Sequence, residues 1–294
     1  MKIKTGIWSN IFDFFNVFGM VIFCFAIIFP LWDMIAMSFT PAKDSYGLAF
    51  RLWPNEWQLS AYRFAFRNSA IMTAYLVTIN RSLIGPLISL ICNVCFAYGL
   101  SKKDLPFHNF LTTFILVPMF FGGGMIANYL LIKQLGLFDN FLVYVIPGAV
   151  GSYNIILLRN YFQNMDRSLE EAARIDGATY FRIVFTVVIP LSKPILATLA
   201  LWGIVAHWNA WFDCLLYINN KSLYTLTYIL RRMMVDDRLL SDEMLQYMTS
   251  HNQQFMSKNL KAAITIINIV PIMCVYPFLQ KHFVKGIMIG ALKG

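Results

Sequence analysis

Residues 71–100, IMTAYLVTINRSLIGPLISLICNVCFAYGL, make a 30-residue run that carries one charge, Arg81. A helix needs about 20 apolar residues to cross the hydrocarbon of a bilayer, so this run is long enough to span it. Five more runs repeat the pattern outward from it. Phe14–Phe39 carries only Asp33, while Phe110–Ile132, Phe141–Leu158, Ile195–Phe212 and Ala262–Gln280 contain no Asp, Glu, Lys or Arg. Across all 294 residues, 58% are hydrophobic and 13% charged; water-soluble domains carry about 25% charged residues. Backbone polar groups in hydrocarbon must pair within their own segment, so the runs are read as helices. The expected fold is all-α: a polytopic membrane protein with six transmembrane helices.

The first run is too long for the apolar core of a cleavable signal, about 7–15 residues, and is read as a retained anchor. The net charge of +9 is explained by basic residues that flank spans and face anionic lipid. No basic-aromatic motif accompanies it, so nucleic acid is not an expected partner. Cys24, Cys92, Cys95, Cys214 and Cys274 lie in or beside apolar runs and read as small packing residues. Lys and Arg are nearly even on the two sides. Lys102 and Lys103 in a short loop, with Lys281, Lys285 and Lys293 in the tail, favour cytoplasmic termini. The expected organisation is a cytoplasmic N-terminus 1–13, a transmembrane domain 14–280 and a cytoplasmic tail 281–294. The domain includes a cytoplasmic loop 159–194 and an outer loop 213–261. Trp53, Pro54, Trp57 and Tyr62 suit the water–lipid boundary, and Ser241 is expected to open a short helix in the outer loop.

One stretch interrupts the apolar pattern: 168–194, SLEEAARIDGATYFRIVFTVVIPLSKP. Ser168 and Glu171 have capping-box spacing, and Glu170 and Glu171 sit where the helix dipole favours negative charge. Gly177 is placed to end the helix in the left-handed conformation. A second amphipathic stretch, 179–189, runs to Pro190 and Pro194. A loop that only joined two spans would not need a rigid capped helix with Ala172 and Ala173 on one side. Such a helix suits a groove on another protein. Lying on lipid is the plainer alternative, and the acidic pair at its start disfavours an anionic bilayer surface.

The segment EAARIDGATYFRIVFTVVIP resembles the EAA loop of permease subunits of binding-protein-dependent ABC importers. Glu171, Ala172, Ala173, Gly177, Val187, Ile189 and Pro190 fit its spacing; Val187 and Ile189 stand where Ile and Leu are commoner. AYGLSKKDLPF (97–107) and KHFVKGIMIGALKG (281–294) are similar to segments of carbohydrate importers of the maltose-permease type. FFGGGMIANYLLIKQLGLFDN (120–140), WNAWFDCLLYI (208–218) and YPFLQK (276–281) resemble a branch associated with oligosaccharides from complex polysaccharides.

The resemblance implies that Glu170, Glu171, Ala172, Ala173, Arg174, Asp176, Gly177 and Pro190 belong to a lever that docks into a cytoplasmic ATPase. It also implies that tail residues Lys285, Gly290, Lys293 and Gly294 reach the ATPases, with Gly286, Gly290 and Gly294 giving a flexible backbone. No G-x-x-x-x-G-K-[ST] occurs in the chain, so no cofactor is expected here, and ATP and Mg are expected on partner subunits. Gly122–Gly124 reads as a close approach or a local break in a helix. The expected partners are a second, non-identical permease subunit, two ATPases, an extracytoplasmic solute-binding protein and membrane lipid. The cargo is expected to be a sugar, an oligosaccharide in particular, with an ABC permease for a non-sugar solute as the alternative. Intramembrane polar and aromatic residues are the candidates for its path: Asn93, Asn128, Tyr129, Asn154, Trp208, Asn209, Trp211 and Asp213. Arg81 either pairs with Asp213 or reaches outward.

Other classes fit less well. A proton-coupled secondary transporter calls for repeated halves or buried carboxylate relays, and neither appears. His207 and Asp213 are not on one helix face and have no third titratable partner. No His/Cys/Asp cluster has metal spacing, and no nucleophile elbow is present.

Overall fold

The computed structural model describes residues 7–42, 53–236, 241–251 and 255–291. Among them every regular element is helical. In chain order these are α1 (Ile7–Phe39), α2 (Ser60–Arg67), α3 (Ser69–Ser101), α4 (His108–Phe120) and α5 (Gly124–Gln134). After a 3-10 turn at Phe141–Tyr144 come α6 (Ser152–Gln163), α7 (Arg167–Ile175) and α8 (Tyr180–Ile183). A π-helical turn, Val184–Val188, leads into α9 (Ile189–Leu191) and α10 (Lys193–Asn209). The chain ends with α11 (Phe212–Tyr217), α12 (Leu226–Val235), α13 (Ser241–His251) and α14 (Ser257–Ala291). The short helix expected from Ser241 is α13.

Among the described residues three helices are long and apolar enough to cross a membrane: Ile11–Phe39, Ser69–Ser101 and Ser257–Val275. Two bent pairs raise the number to five if each is one span: α4 with α5, bent by 115°, and Tyr180–Leu191 with α10, bent by 84°. The run 110–132 is therefore two helices. Phe121, Gly122 and Gly123 lie outside them, and Gly124 has φ +77°, the left-handed region where a side chain is strained. Of the close approach or local break expected at these glycines, the local break is present.

The run 141–158, expected as one span, is not one helix. Its start is the 3-10 turn, and Pro147, Gly148 and Gly151 lie outside helices before α6 begins. Proline lacks the N–H a helix needs, and glycine favours other conformations. At 12 residues, α6 is about 18 Å long, short of a bilayer core of about 30 Å. At the other end of the chain, α14 carries Gly286 and Gly290 within helix, where a flexible tail was expected. An unbroken hydrogen-bond ladder overrides the glycine preference there. Lys293 and Gly294 lie outside the described residues.

The chain forms two compact units. The first comprises Met1–Asn68 and Arg232–Ile269. Its core joins Ala36, Ala61, Phe64, Ala65, Phe255 and Leu260, all buried. Asn259 is the polar tie. Its amide donates to the carbonyls of Met37 (2.8 Å) and Thr40 (3.0 Å) and accepts from the Met256 N–H (2.8 Å). Farther back along α1, Phe12, Phe15, Phe18, Phe23 and Phe25 are exposed, as a lipid- or partner-facing helix requires.

The second unit comprises Ser69–Arg231 and Val270–Gly294. Here α3 packs against α10 and α6. Two glycines permit the approach to α10. A Cβ on Gly85 would lie 2.4 Å from the His207 ring, and one on Gly203 would lie 3.0 Å from Pro86 Cβ. Small residues let backbones approach closely in membrane helices, where lipid supplies no hydrophobic drive. One core cluster gathers Val94, Ala97, Leu158, Ile183, Val188 and Leu199. A second gathers Val77, Val143, Val145, Cys214 and Ile218.

Candidate functional site

The polar interruption folds as a short amphipathic helix, α7, closed at both ends. Its N-cap is Asp166, in extended conformation, whose side chain accepts the Ser168 N–H at 3.0 Å. This corrects the capping box expected from Ser168 and Glu171: the helix begins one residue before Ser168, and the carboxylate of Asp166 takes the orphan donor instead. The same hydrogen bond pulls the Asp166 pKa below its ordinary value. At the other end Gly177 has φ +77°. Its N–H donates to the Arg174 carbonyl (2.9 Å), and the Ala178 N–H donates to that of Ala173 (2.9 Å). That pair of bonds is the Schellman stop, as expected of Gly177, with Asp176 as the C-cap.

The two glutamates face different ways. Glu170 turns inward. Its carboxylate accepts the Tyr98 hydroxyl at 2.5 Å and is paired with Lys102. The Lys102 ammonium also sits 4.4 Å from the Tyr98 ring centroid. Burial works to raise the Glu170 pKa, but the bonds from Lys102 and Tyr98 outweigh it and hold the carboxyl below its ordinary value. Glu171 and Ala172 are exposed, whereas Ala173 packs toward the first core cluster. Arg174 lies over the Tyr180 ring, 4.6 Å from its centroid, and bonds its hydroxyl. Beyond the turn the surface is apolar and open: Ile175 is 87% exposed and Phe181 77%. Pro190 lies in α9 just past the π-turn. A proline clashes with the carbonyl four residues back, and the wider turn makes room for it.

The second feature is a cavity of about 500 Å³ within the second unit, bordered by Arg81, Asn128, Tyr144, His207, Asp213 and Tyr217 among others. Arg81, from the middle of α3, pairs with Asp213. One terminal nitrogen lies 2.5 Å from Oδ2, and the other donates to Oδ1 (3.2 Å) and to the Ala210 carbonyl (3.3 Å). Its guanidinium also lies 4.3 Å from the Tyr144 ring centroid, a cation–π contact. The Tyr144 hydroxyl donates to the Leu223 carbonyl at 2.8 Å.

Of the residues expected along a substrate path, Asn128 and Asp213 border this cavity. The others are placed elsewhere. Asn93 is buried and ties α3 to the residue before α6: its amide donates to Ser89 Oγ of its own helix (2.9 Å) and accepts the Gly151 N–H (3.0 Å). Asn154 lies beside Gly151. Trp208 is buried, edge-on to Tyr75, and its carbonyl accepts from Thr227 (2.9 Å). Asn209 donates to the Val205 carbonyl of its own helix at 3.0 Å. Trp211 lies under the Arg231 guanidinium, 3.9 Å away. Tyr129 stacks on Tyr217 at 6.0 Å. The sequence gives no sign that Tyr98, Lys102 or Tyr144 belongs to either site, because their partners are distant in the chain and leave no local spacing signal. Of the tail candidates, Lys285 and Gly290 lie within α14.

The sequence profile of the family described as "Binding-protein-dependent transport system inner membrane component" matches residues 85–289. The chain is similar to the polygalacturonan/rhamnogalacturonan transport system permease protein YtcP of Bacillus subtilis (strain 168). The two are 33% identical over 97% of this chain and 99% of that protein. It is also similar to protein LplC of the same organism, 36% identical over 91% of this chain and 90% of that one. Among solved structures, a chain of a bacterial ABC transporter involved in the import of the acidic polysaccharide alginate superposes with a TM-score of 0.90. That chain is 31% identical, with 96% of this chain and 100% of that one covered.

Proposed function

Because this chain belongs to the family of binding-protein-dependent transport system inner membrane components, we propose that it is a permease subunit of a carbohydrate ABC importer in a prokaryotic cytoplasmic membrane. It forms half of the pathway for an oligosaccharide handed over by a solute-binding protein. A second permease subunit supplies the other half. Two cytoplasmic ATPases bind ATP and Mg and drive the cycle, and both termini of this chain lie on their side. The relatives support the cargo class: one is named for polygalacturonan and rhamnogalacturonan transport, and another belongs to an alginate importer.

The observation that carries the reading is the two-sidedness of α7. Glu170 ties the helix back to α3, while Glu171 and Ile175 stay open. A capped helix held on one side and free on the other transmits a rigid-body push, which a flexible loop would absorb. The tail helix, with Lys285 and Gly290, is a second contact with the ATPases in this reading. The test is reconstitution of the chain with its second permease, ATPases and binding protein in proteoliposomes. Oligosaccharide uptake should require ATP and the binding protein. Uptake driven by a proton gradient without ATP would assign the chain to secondary transport instead.

A further inference from the structure

The Arg81–Asp213 pair is lopsided. The arginine side chain is 2% exposed and the aspartate 26%, so the carboxylate is the more accessible partner of the pair. A carboxylate has about four acceptor positions. On Asp213, Oδ1 accepts from Arg81 and from the Cys214 N–H (2.9 Å), whereas Oδ2 accepts from Arg81. One acceptor position on Oδ2 is thus left. Asn128, exposed on the same cavity, adds an amide that both donates and accepts. Two further polar atoms of cavity-bordering residues, Arg81 Nε and His207 Nδ1, are buried without hydrogen-bond partners. The rest of the wall is largely apolar, with Leu131, Ile132 and Ile146. The volume, about 500 Å³, lies within the range of small-molecule sites, about 300–1,000 Å³.

We infer that this cavity is a transit subsite for an uncharged, hydroxyl-bearing sugar ring. Asp213 accepts a sugar hydroxyl through Oδ2, and Asn128 makes a second polar contact. Arg81 is the positioning residue that fixes the carboxylate from behind. A ligand matched to this site must bring donors, which hydroxyls do. A sugar carboxylate brings acceptors and a like charge to Asp213, while the Arg81 side chain is 2% exposed and its terminal nitrogens are already engaged with that aspartate. The inference rests on the sugar-importer reading above and names which part of a saccharide this subunit grips.

The test uses the reconstituted importer with its binding protein saturated, so that transport rate rather than capture is compared. The probes are oligouronides of one length, as free acids and as methyl esters. The wild type should import the esters faster than the free acids. The paired variant Arg81→Met/Asp213→Leu removes the ion pair without leaving a buried charge alone, with assembly checked by copurification. It should slow ester uptake by at least about tenfold, the worth of a hydrogen bond to a charged group. Asn128→Ala, at an exposed position, should slow it in the same direction and guards against a folding defect in the pair. Wild-type uptake rates in both variants, or faster import of the free acids, would overturn the subsite while leaving the importer reading intact. Absence of ATP-dependent uptake of any oligosaccharide by the wild type would overturn both.

Discussion

The Glu170 carboxylate accepts the Tyr98 hydroxyl at 2.5 Å, across 72 residues of sequence, and so fastens the polar helix α7 to the end of the long helix α3. Lys102, just past the end of α3, closes the same carboxylate. Replacing Tyr98 with Phe removes one of these bonds and keeps the ring. The expected result is a folded protein whose α7 opens more readily, by about 1–2 kcal/mol for a half-buried bond to a charged group. Hydrogen exchange over 167–177 should quicken while the rest of α3 is unchanged. Equal exchange in both proteins would show that the tie does not hold α7.

The same carboxylate sets a pH window. Its folded-state pKa lies below the ordinary 4.5, so the unfolded or undocked form binds the proton more tightly. The stabilisation is fully present above about 4.5 and is lost as pH falls through the lower folded value. Exchange protection of α7 should therefore be flat from pH 5 to 8, after correction for intrinsic rates, and should drop only in more acid solution. A midpoint near neutrality would point to another group.

Glu171 makes the complementary case. It is exposed on α7, so Glu171→Lys should leave the fold and membrane insertion intact. On the proposed coupling role, contact with an ATPase subunit should be lost, seen as reduced copurification or as ATP hydrolysis without uptake. Uptake at the wild-type rate would remove α7 from the coupling role.

Caps can be told apart by a pair of alanines. Asp166→Ala removes the acceptor that satisfies the Ser168 N–H, and α7 should fray at its start. Ser168→Ala should change helix protection much less. The opposite ranking would restore the capping box read from the sequence.

Gly85 offers a packing test. Any side chain there meets the His207 ring within 2.4 Å. Gly85→Ala should destabilise the chain by about 1–3 kcal/mol, the usual penalty of overpacking. Trimming the partner in Gly85→Ala/His207→Ala should recover part of it. Thermal unfolding of the detergent-solubilised complex reads both.

Much of this arrangement was legible in the sequence because its signals are local. Spans announce themselves by uninterrupted apolar length, α7 by acids at its start and Gly177 at its end, and the break at Gly122–Gly124 by three residues with no side chains. The cap was misplaced by two positions because Asp166 and Ser168 are both good capping residues, and only backbone conformation chooses between them. The run 141–158 misled because hydropathy measures polarity, whereas Pro147, Gly148 and Gly151 act on backbone geometry. Residue type alone marks the substrate candidates in the sequence. Trp208, Asn209 and Asp213 are close neighbours in sequence, yet the first is core, the second bonds its own helix and the third borders the cavity. What separates them is which way each faces where α10 ends and α11 begins, and that depends on partners more than a hundred residues away.

The bend between α4 and α5 has a consequence for handling the protein. A helix that stops at Phe120 and another that starts at Gly124 leave carbonyls and N–H groups without intrahelical partners. In hydrocarbon each such group costs several kcal/mol. The elbow therefore needs wet or proteinaceous surroundings, which the proposed second permease subunit would supply. Yields should rise markedly when the gene is expressed together with that of its fellow subunit, and the protease sensitivity of residues 118–126 should fall.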